Sequence, residues 1–91
     1  MPLEQRRVLF GGNVQNVGFR YAAVRTAQQY AVGGFVRNLP DGDVECVVEG
    51  ESDEVAAFLD ALAQRMSGYI RTRKEQRAPA SGQYHRFDVK Y

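Results

Sequence analysis

Val55, Phe58, Leu59, Leu62 and Met66 recur at i, i+3, i+4, i+7 and i+11, which draws one apolar stripe down one side of a helix. Such a stripe has to be covered, and the runs available to cover it read as strands. Ser52 precedes the stripe as an N-cap residue, with Asp53 and Glu54 in the first turn, where the helix dipole favours negative charge. Gly68 closes the helix region. The chain must therefore lay this helix on a sheet.

The strands are legible on both sides of it. Arg6 to Gly12 holds the short apolar run Val8, Leu9, Phe10 before a glycine pair, and reads as a first strand. Phe35 to Leu39 and Val44 to Glu49 flank Pro40-Asp41-Gly42-Asp43, whose proline and Asp-Gly pair are strong turn chemistry, so the two runs form a hairpin. In the second run Val44, Cys46 and Val48 alternate with Glu45, Val47 and Glu49, which predicts an apolar face and a wet, mostly acidic one. Tyr69 to about Arg77 reads as a basic, polar edge strand, and Ala78-Pro79-Ala80-Ser81-Gly82-Gln83 as a loop. The final run sets Phe87, Val89 and Tyr91 on one face.

Between the first strand and the hairpin, Phe19, Ala23, Ala27 and Tyr30 follow helical spacing, and Gly33 and Gly34 break the pattern before the next strand. The order is strand, helix, strand, strand, helix, strand, strand. This predicts an α+β fold, a ferredoxin-like α/β sandwich of βαββαβ order with a short C-terminal strand, its antiparallel sheet carrying two helices on one face. At 91 residues the chain, 1–91, is expected to be a single domain.

The stretch Gly11 to Arg20, GGNVQNVGFR, joins a strand end, a glycine-rich turn and a helix start. Unpartnered N–H groups of a first helical turn, the helix dipole and amides converging in a tight turn together suit a phosphate, and Arg20 adds a planar fork that grips two phosphate oxygens. The same residues also read as an ordinary turn followed by a solvated arginine. Neither a P-loop nor a GxGxxG spacing is present.

Charge narrows the partners. Twelve basic against eleven acidic residues leave a net charge of +1 without a long block of one sign, so no nucleic-acid or membrane partner is expected, and any anion preference must be local. The single cysteine, Cys46, has no partner for a disulfide or a zinc site and reads as a small core residue. No signal-peptide or membrane-length apolar run is evident, which leads to an expected cytoplasmic location. His85 has no companion for a metal site, and Asp41 and Asp43 flank a turn glycine as solvated turn formers do. Arg71, Arg73, Lys74 and Arg77 read as a solvated edge.

Two motifs in order carry a resemblance. Gly12-Asn13-Val14-Gln15-Asn16-Val17-Gly18-Phe19-Arg20 resembles the first signature of the acylphosphatases, G-x-V-Q-G-V-x-F-R. Gly34-Phe35-Val36-Arg37-Asn38, followed by Asp41-Gly42-Asp43-Val44 and Gly50, resembles their second. The resemblance implies the ferredoxin-like fold and hydrolysis of the carboxyl-phosphate bond of acyl phosphates, without metal or other cofactor. It implies that Gln15, Asn16, Val17, Gly18, Phe19 and Arg20 form the phosphate-binding loop, that Arg20 binds the phosphoryl oxygens and that Asn38 orders the attacking water. Inorganic phosphate or sulfate is the expected bound anion, and the protein is expected to work as a monomer.

The implied chemistry is coherent. The leaving carboxylate has a pKa of roughly 4, so no general acid is needed, and the work reduces to positioning and charge stabilisation. An amide at Asn38 can hold a water but cannot act as its base; by family inference the substrate's own phosphate takes the proton. Without the paired motif Asn38 reads as a cap on the hairpin turn.

Two departures stand out. Asn16 occupies a family glycine position; if that position needs φ > 0, Asn is the best-tolerated substitute at about 1 kcal/mol. The expectation is a folded protein, with activity reduced if the side chain crowds the ligand. Phe35 replaces a common tryptophan, a matter of packing. Two other functions fit parts of the pattern. One is a non-catalytic phosphate-binding regulatory module with the same cradle. The other is an RNA-binding sheet of RRM type, against which stand the acidic residues of Val44 to Glu49.

Overall fold

The computed structural model describes residues 3–91. The elements run β1 (Leu3–Gly12), α1 (Phe19–Ala27), β2 (Val32–Asn38), β3 (Val44–Glu51), α2 (Ser52–Arg65), β4 (Ile70–Pro79) and β5 (Phe87–Val89), the order expected from the sequence. One five-stranded sheet has the spatial order β4-β1-β3-β2-β5. The helices pack on one face. There the α2 stripe of Val55, Phe58, Leu59, Leu62 and Met66 meets Val8 and Phe10 of β1, Val36 of β2, Val44, Cys46 and Val48 of β3, and Phe87 of β5, all buried. Phe58 sits at the centre of this layer, edge-on to Phe87 at 5.2 Å and to Tyr30 at 6.4 Å.

The sheet is mixed rather than antiparallel throughout. β1 runs antiparallel to β3 and β4, and β2 antiparallel to β3, but β5 lies parallel to β2. Topology forces this: β4 ends at Pro79 beside Glu4, the same end of the sheet at which β2 starts. A chain that crosses that end and re-enters beside β2 can only run in its direction. The crossing segment is held by Glu49, whose carboxylate accepts the amides of Ser81 at 2.7 Å and Gly82 at 3.1 Å.

That contact also overturns the expected wet acidic face of β3. Glu45 and Glu49 are only 3% and 5% exposed. Glu45 accepts Nε of Arg7 and Nε of Arg37, and Glu49 accepts Nε2 of Gln5 at 2.6 Å beside the two loop amides. For Glu45, burial alone would push the carboxyl up, but the two guanidinium hydrogen bonds outweigh it and the pKa is lowered. Glu49 is lowered too: burial pushes upward, and the Ser81 amide, the Ser81 and Gln5 side chains and the Gly82 amide prevail. Alternation along one strand cannot reveal donors supplied by its neighbours.

Smaller differences have equally local causes. α1 stops at Ala27, three residues short of Tyr30, and the amides of Gln29 and Tyr30 close turns on Thr26 and Ala27. β2 begins at Val32, so the glycines lie inside the strand. Gly34, at φ 143°, is required there because a Cβ would overlap the Val47 carbonyl of β3. The cap position of α2 is Glu51, not Ser52, whose hydroxyl bonds the Glu4 carboxylate at 3.2 Å instead. β4 is the expected edge strand and mostly exposed, although Arg73 there pairs with Glu75 and Asp60.

Candidate functional site

β1 and β2 run in the same direction on either side of β3, so their C-terminal ends, Gly12 and Asn38, come out on the same side of the sheet. The loop to α1 and the hairpin turn are therefore neighbours. Residues that lie more than a dozen positions apart in sequence are brought together by this register alone.

The loop is shaped by its backbone. Pairing with β4 shifts register between Gly11 and Gly12, and the Asn13 amide bonds the Tyr69 carbonyl at 3.0 Å, which turns the chain out of the sheet. Val14 is fully buried and pins the loop to the core. Asn16 and Gly18 then adopt φ of 63° and 77°, the left-handed region. Gly18 is the residue preceding α1, and having no side chain it supplies no cap. The first intrahelical bond is Ala22 N–H to the Gly18 carbonyl at 2.9 Å, so the amides of the first turn are left for another acceptor. No acidic residue occupies that turn.

A cleft of about 340 Å³ opens at this point. Asn16, Gly18, Phe19 and Arg20 line it on the loop side, Asn38 from the hairpin, and Tyr21, Val24, Val89 and Tyr91 form much of the remaining wall. Of the six residues of the expected phosphate loop, four thus reach the cleft. Val17 packs against the core, and the Gln15 carboxamide turns to the hairpin, donating from Nε2 to the carbonyls of Leu39 at 2.8 Å and Asp43 at 2.9 Å. Phe19 is 2% exposed and stacks obliquely on Phe10 at 5.1 Å, so what it offers a ligand is backbone.

Arg20 is half-buried, with its guanidinium carbon 5.3 Å from the Tyr91 ring centroid and no carboxylate partner among the described residues. Arg37, one residue before Asn38, is different: its charge is matched by Glu45 on the face away from the helices. Positive charge facing the cleft is therefore concentrated on Arg20. Asn38 is half-buried, and among the described residues its carboxamide has no hydrogen-bond partner. It does not cap the hairpin turn. That turn closes through Leu39 N–H to Asp43 O at 2.8 Å, Gly42 N–H to Leu39 O at 3.1 Å and Asp43 N–H to Asp41 Oδ1 at 2.9 Å.

The remaining candidates lie elsewhere. Cys46 is fully buried, and burial, with the Glu45 charge next to it, pushes its thiol well above the usual range. His85 is exposed in the segment between β4 and β5. Sequence reading did not single out Tyr21, Val24, Val89 and Tyr91 as cleft wall. Val24 stands four residues after Arg20, the helical spacing that puts two side chains on one face, so that signal was present. Val89 and Tyr91 had none, because only tertiary pairing brings their segment to α1.

The acylphosphatase family model matches residues 6–89. The chain is similar to the acylphosphatase of Bordetella parapertussis, with 50% identity over 60 residues, which is 66% of this chain and 64% of that protein's length, just under two thirds. It is similar along more of its length to the acylphosphatase of Syntrophotalea carbinolica, 38% identical over 90 residues, 93% of this chain and 94% of that one. Among solved structures, the acylphosphatase from Bacillus subtilis superposes with a TM-score of 0.87 at 28% identity, covering 97% of this chain and 99% of that one.

Proposed function

The chain belongs to the acylphosphatase family, and from that premise we propose that it is a metal-independent hydrolase of acyl phosphates that releases a carboxylate and inorganic phosphate. The observation that carries this reading is the pairing, in one cleft, of a guanidinium without a carboxylate partner and a carboxamide without a hydrogen-bond partner, Arg20 and Asn38.

In the proposed reaction the phosphoryl oxygens accept from the loop amides and the first-turn amides of α1, with the Arg20 fork gripping two of them. Their negative charge is matched where it spreads over the equatorial oxygens. The Asn38 carbonyl oxygen accepts from a water and aims its lone pair at phosphorus. A bond forms from that water oxygen to phosphorus while the bond from phosphorus to the acyl oxygen breaks, and the electron pair leaves on the carboxylate. The water's proton passes to a phosphate oxygen. With a leaving group of pKa roughly 4, no general acid is needed. The cleft lining contains no carboxylate, imidazole or thiol side chain, and nothing in the scheme asks for a metal ion.

The test is hydrolysis of acetyl phosphate in EDTA by the wild type, Arg20→Ala and Asn38→Ala. Each substitution is expected to lower kcat/KM by about 100-fold or more, the usual effect of deleting one transition-state contact, while the wild type is indifferent to chelator. Full activity without Arg20, or loss of activity in EDTA, would contradict the scheme. Tight phosphate binding without any turnover would instead identify an anion-binding regulatory module.

A further inference from the structure

The loop and the hairpin that share the cleft are separate pieces of chain, and catalysis by the scheme above needs them in fixed register. Phosphorus would be held by one and water by the other. Among the described residues a single side chain hydrogen-bonds across the gap between the loop and the hairpin turn. Gln15 Nε2 donates to Leu39 O at 2.8 Å and to Asp43 O at 2.9 Å, reaching 24 and 28 positions along the sequence. Those carbonyls bracket the turn that directly follows Asn38.

Gln15 is well placed to act as a spacer. The fully buried Val14 on one side and the left-handed Asn16 on the other restrict its backbone. A carboxamide nitrogen has two N–H groups at a fixed angle, which matches two carbonyl oxygens and leaves no donor spare. Both carbonyls also accept a backbone amide, Leu39 O from Gly42 and Asp43 O from Leu39. The turn is therefore already closed without Gln15. What the side chain adds is the distance between turn and loop.

We propose that Gln15 is a positioning residue for hydrolysis rather than a phosphate ligand: its carboxamide fixes the Asn38 end of β2 against the loop that holds the phosphoryl group. This rests on the hydrolase reading given above. A displacement of about 1 Å between reacting groups can lower a rate by about 100-fold. Loosening this tie should thus affect the chemical step and spare anion binding, which depends on the loop amides and Arg20.

The experiment compares the wild type with Gln15→Met, which keeps length and removes the donors, and Gln15→Glu, which keeps shape and turns a donor into an acceptor. Two quantities are read: kcat on acetyl phosphate, with its pH dependence, and the inhibition constant of inorganic phosphate. The expected result is a kcat lowered about 10- to 100-fold and a phosphate inhibition constant within about twofold of the wild type. Gln15→Glu should be the slower variant at neutral pH. Its activity relative to the wild type should rise as the pH falls towards about 4, where a protonated carboxyl can again donate.

Unchanged kcat in both variants would overturn the proposal, as would a phosphate inhibition constant that rises in step with the loss of kcat. A wild type without turnover would sink the hydrolase reading and this role together, and is recognised before any variant is made.

Discussion

Asn16 offers the sharpest test of how the loop is built, because its substitution acts almost entirely through the backbone. Its φ of 63° lies in the left-handed region, its side chain is exposed, and among the described residues it has no hydrogen-bond partner. Replacing it removes neither packing nor a bond. An L-residue in this region costs about 1–3 kcal/mol, with Asn at the low end and β-branched residues at the high end. Asn16→Ala should therefore lose about 1 kcal/mol, and Asn16→Val, whose branched Cβ is worst suited to the region, about 2 kcal/mol. For Asn16→Gly, relief of about 1 kcal/mol is offset by the greater freedom of glycine in the unfolded chain, so the net change should be near zero. In a domain of this size 1 kcal/mol moves Tm by about 4–8 °C. Thermal unfolding followed by circular dichroism should then rank the wild type with Asn16→Gly, followed by Asn16→Ala and Asn16→Val, the last melting about 8–16 °C early. Turnover of acetyl phosphate should be preserved or raised in Asn16→Gly, which clears a side chain from the cleft. A valine variant that melts with the wild type would refute the reasoning about the loop.

Two further predictions concern the sheet that supports the site. Glu45 has a lowered pKa, so its contribution to stability is complete above the unfolded value of about 4.3 and is lost as the pH falls through the folded value. Glu45→Gln should cost about 2 kcal/mol at neutral pH, less than a fully buried pair because Arg7 and Arg37 are 41% and 38% exposed. Its Tm should also fall less than that of the wild type between pH 6 and about pH 3; parallel curves would mean that the carboxylate does not titrate as described. Cys46 should resist a thiol reagent in native buffer and react fully in denaturant, since its thiol is buried and its pKa raised; complete native labelling within minutes would contradict its place in the core.

The α2 stripe, the hairpin and the element order were readable because each rests on local periodicity or turn chemistry. Val55, Phe58, Leu59, Leu62 and Met66 are all in the core, and Pro40 to Asp43 do join two paired strands. The strain at Asn16 was equally local, since a family glycine position suggested a positive φ and the loop has one there. Local rules failed where a partner came from far along the chain. Glu45 and Glu49 looked solvated because nothing near them in sequence discloses Arg7, Gln5 or the amides of Ser81 and Gly82. The path of the Gln15 carboxamide to the hairpin was equally invisible, because Leu39 and Asp43 lie 24 and 28 positions away.

By itself, the order of residues determined which segments become strands and helices, which side of each is apolar, and which two short motifs carry the resemblance to the acylphosphatases. These are properties of near neighbours, set by side-chain spacing and by the backbone freedom of a few residues. Only the tertiary structure decided that β5 lies parallel to β2, that two carboxylates of β3 are buried between donors, and that Arg20 and Asn38 open onto one cleft with a glutamine bridging the loop and the turn behind it. Each of these depends on strand register, which places residues dozens of positions apart within hydrogen-bond reach and leaves no trace in the spacing along the chain.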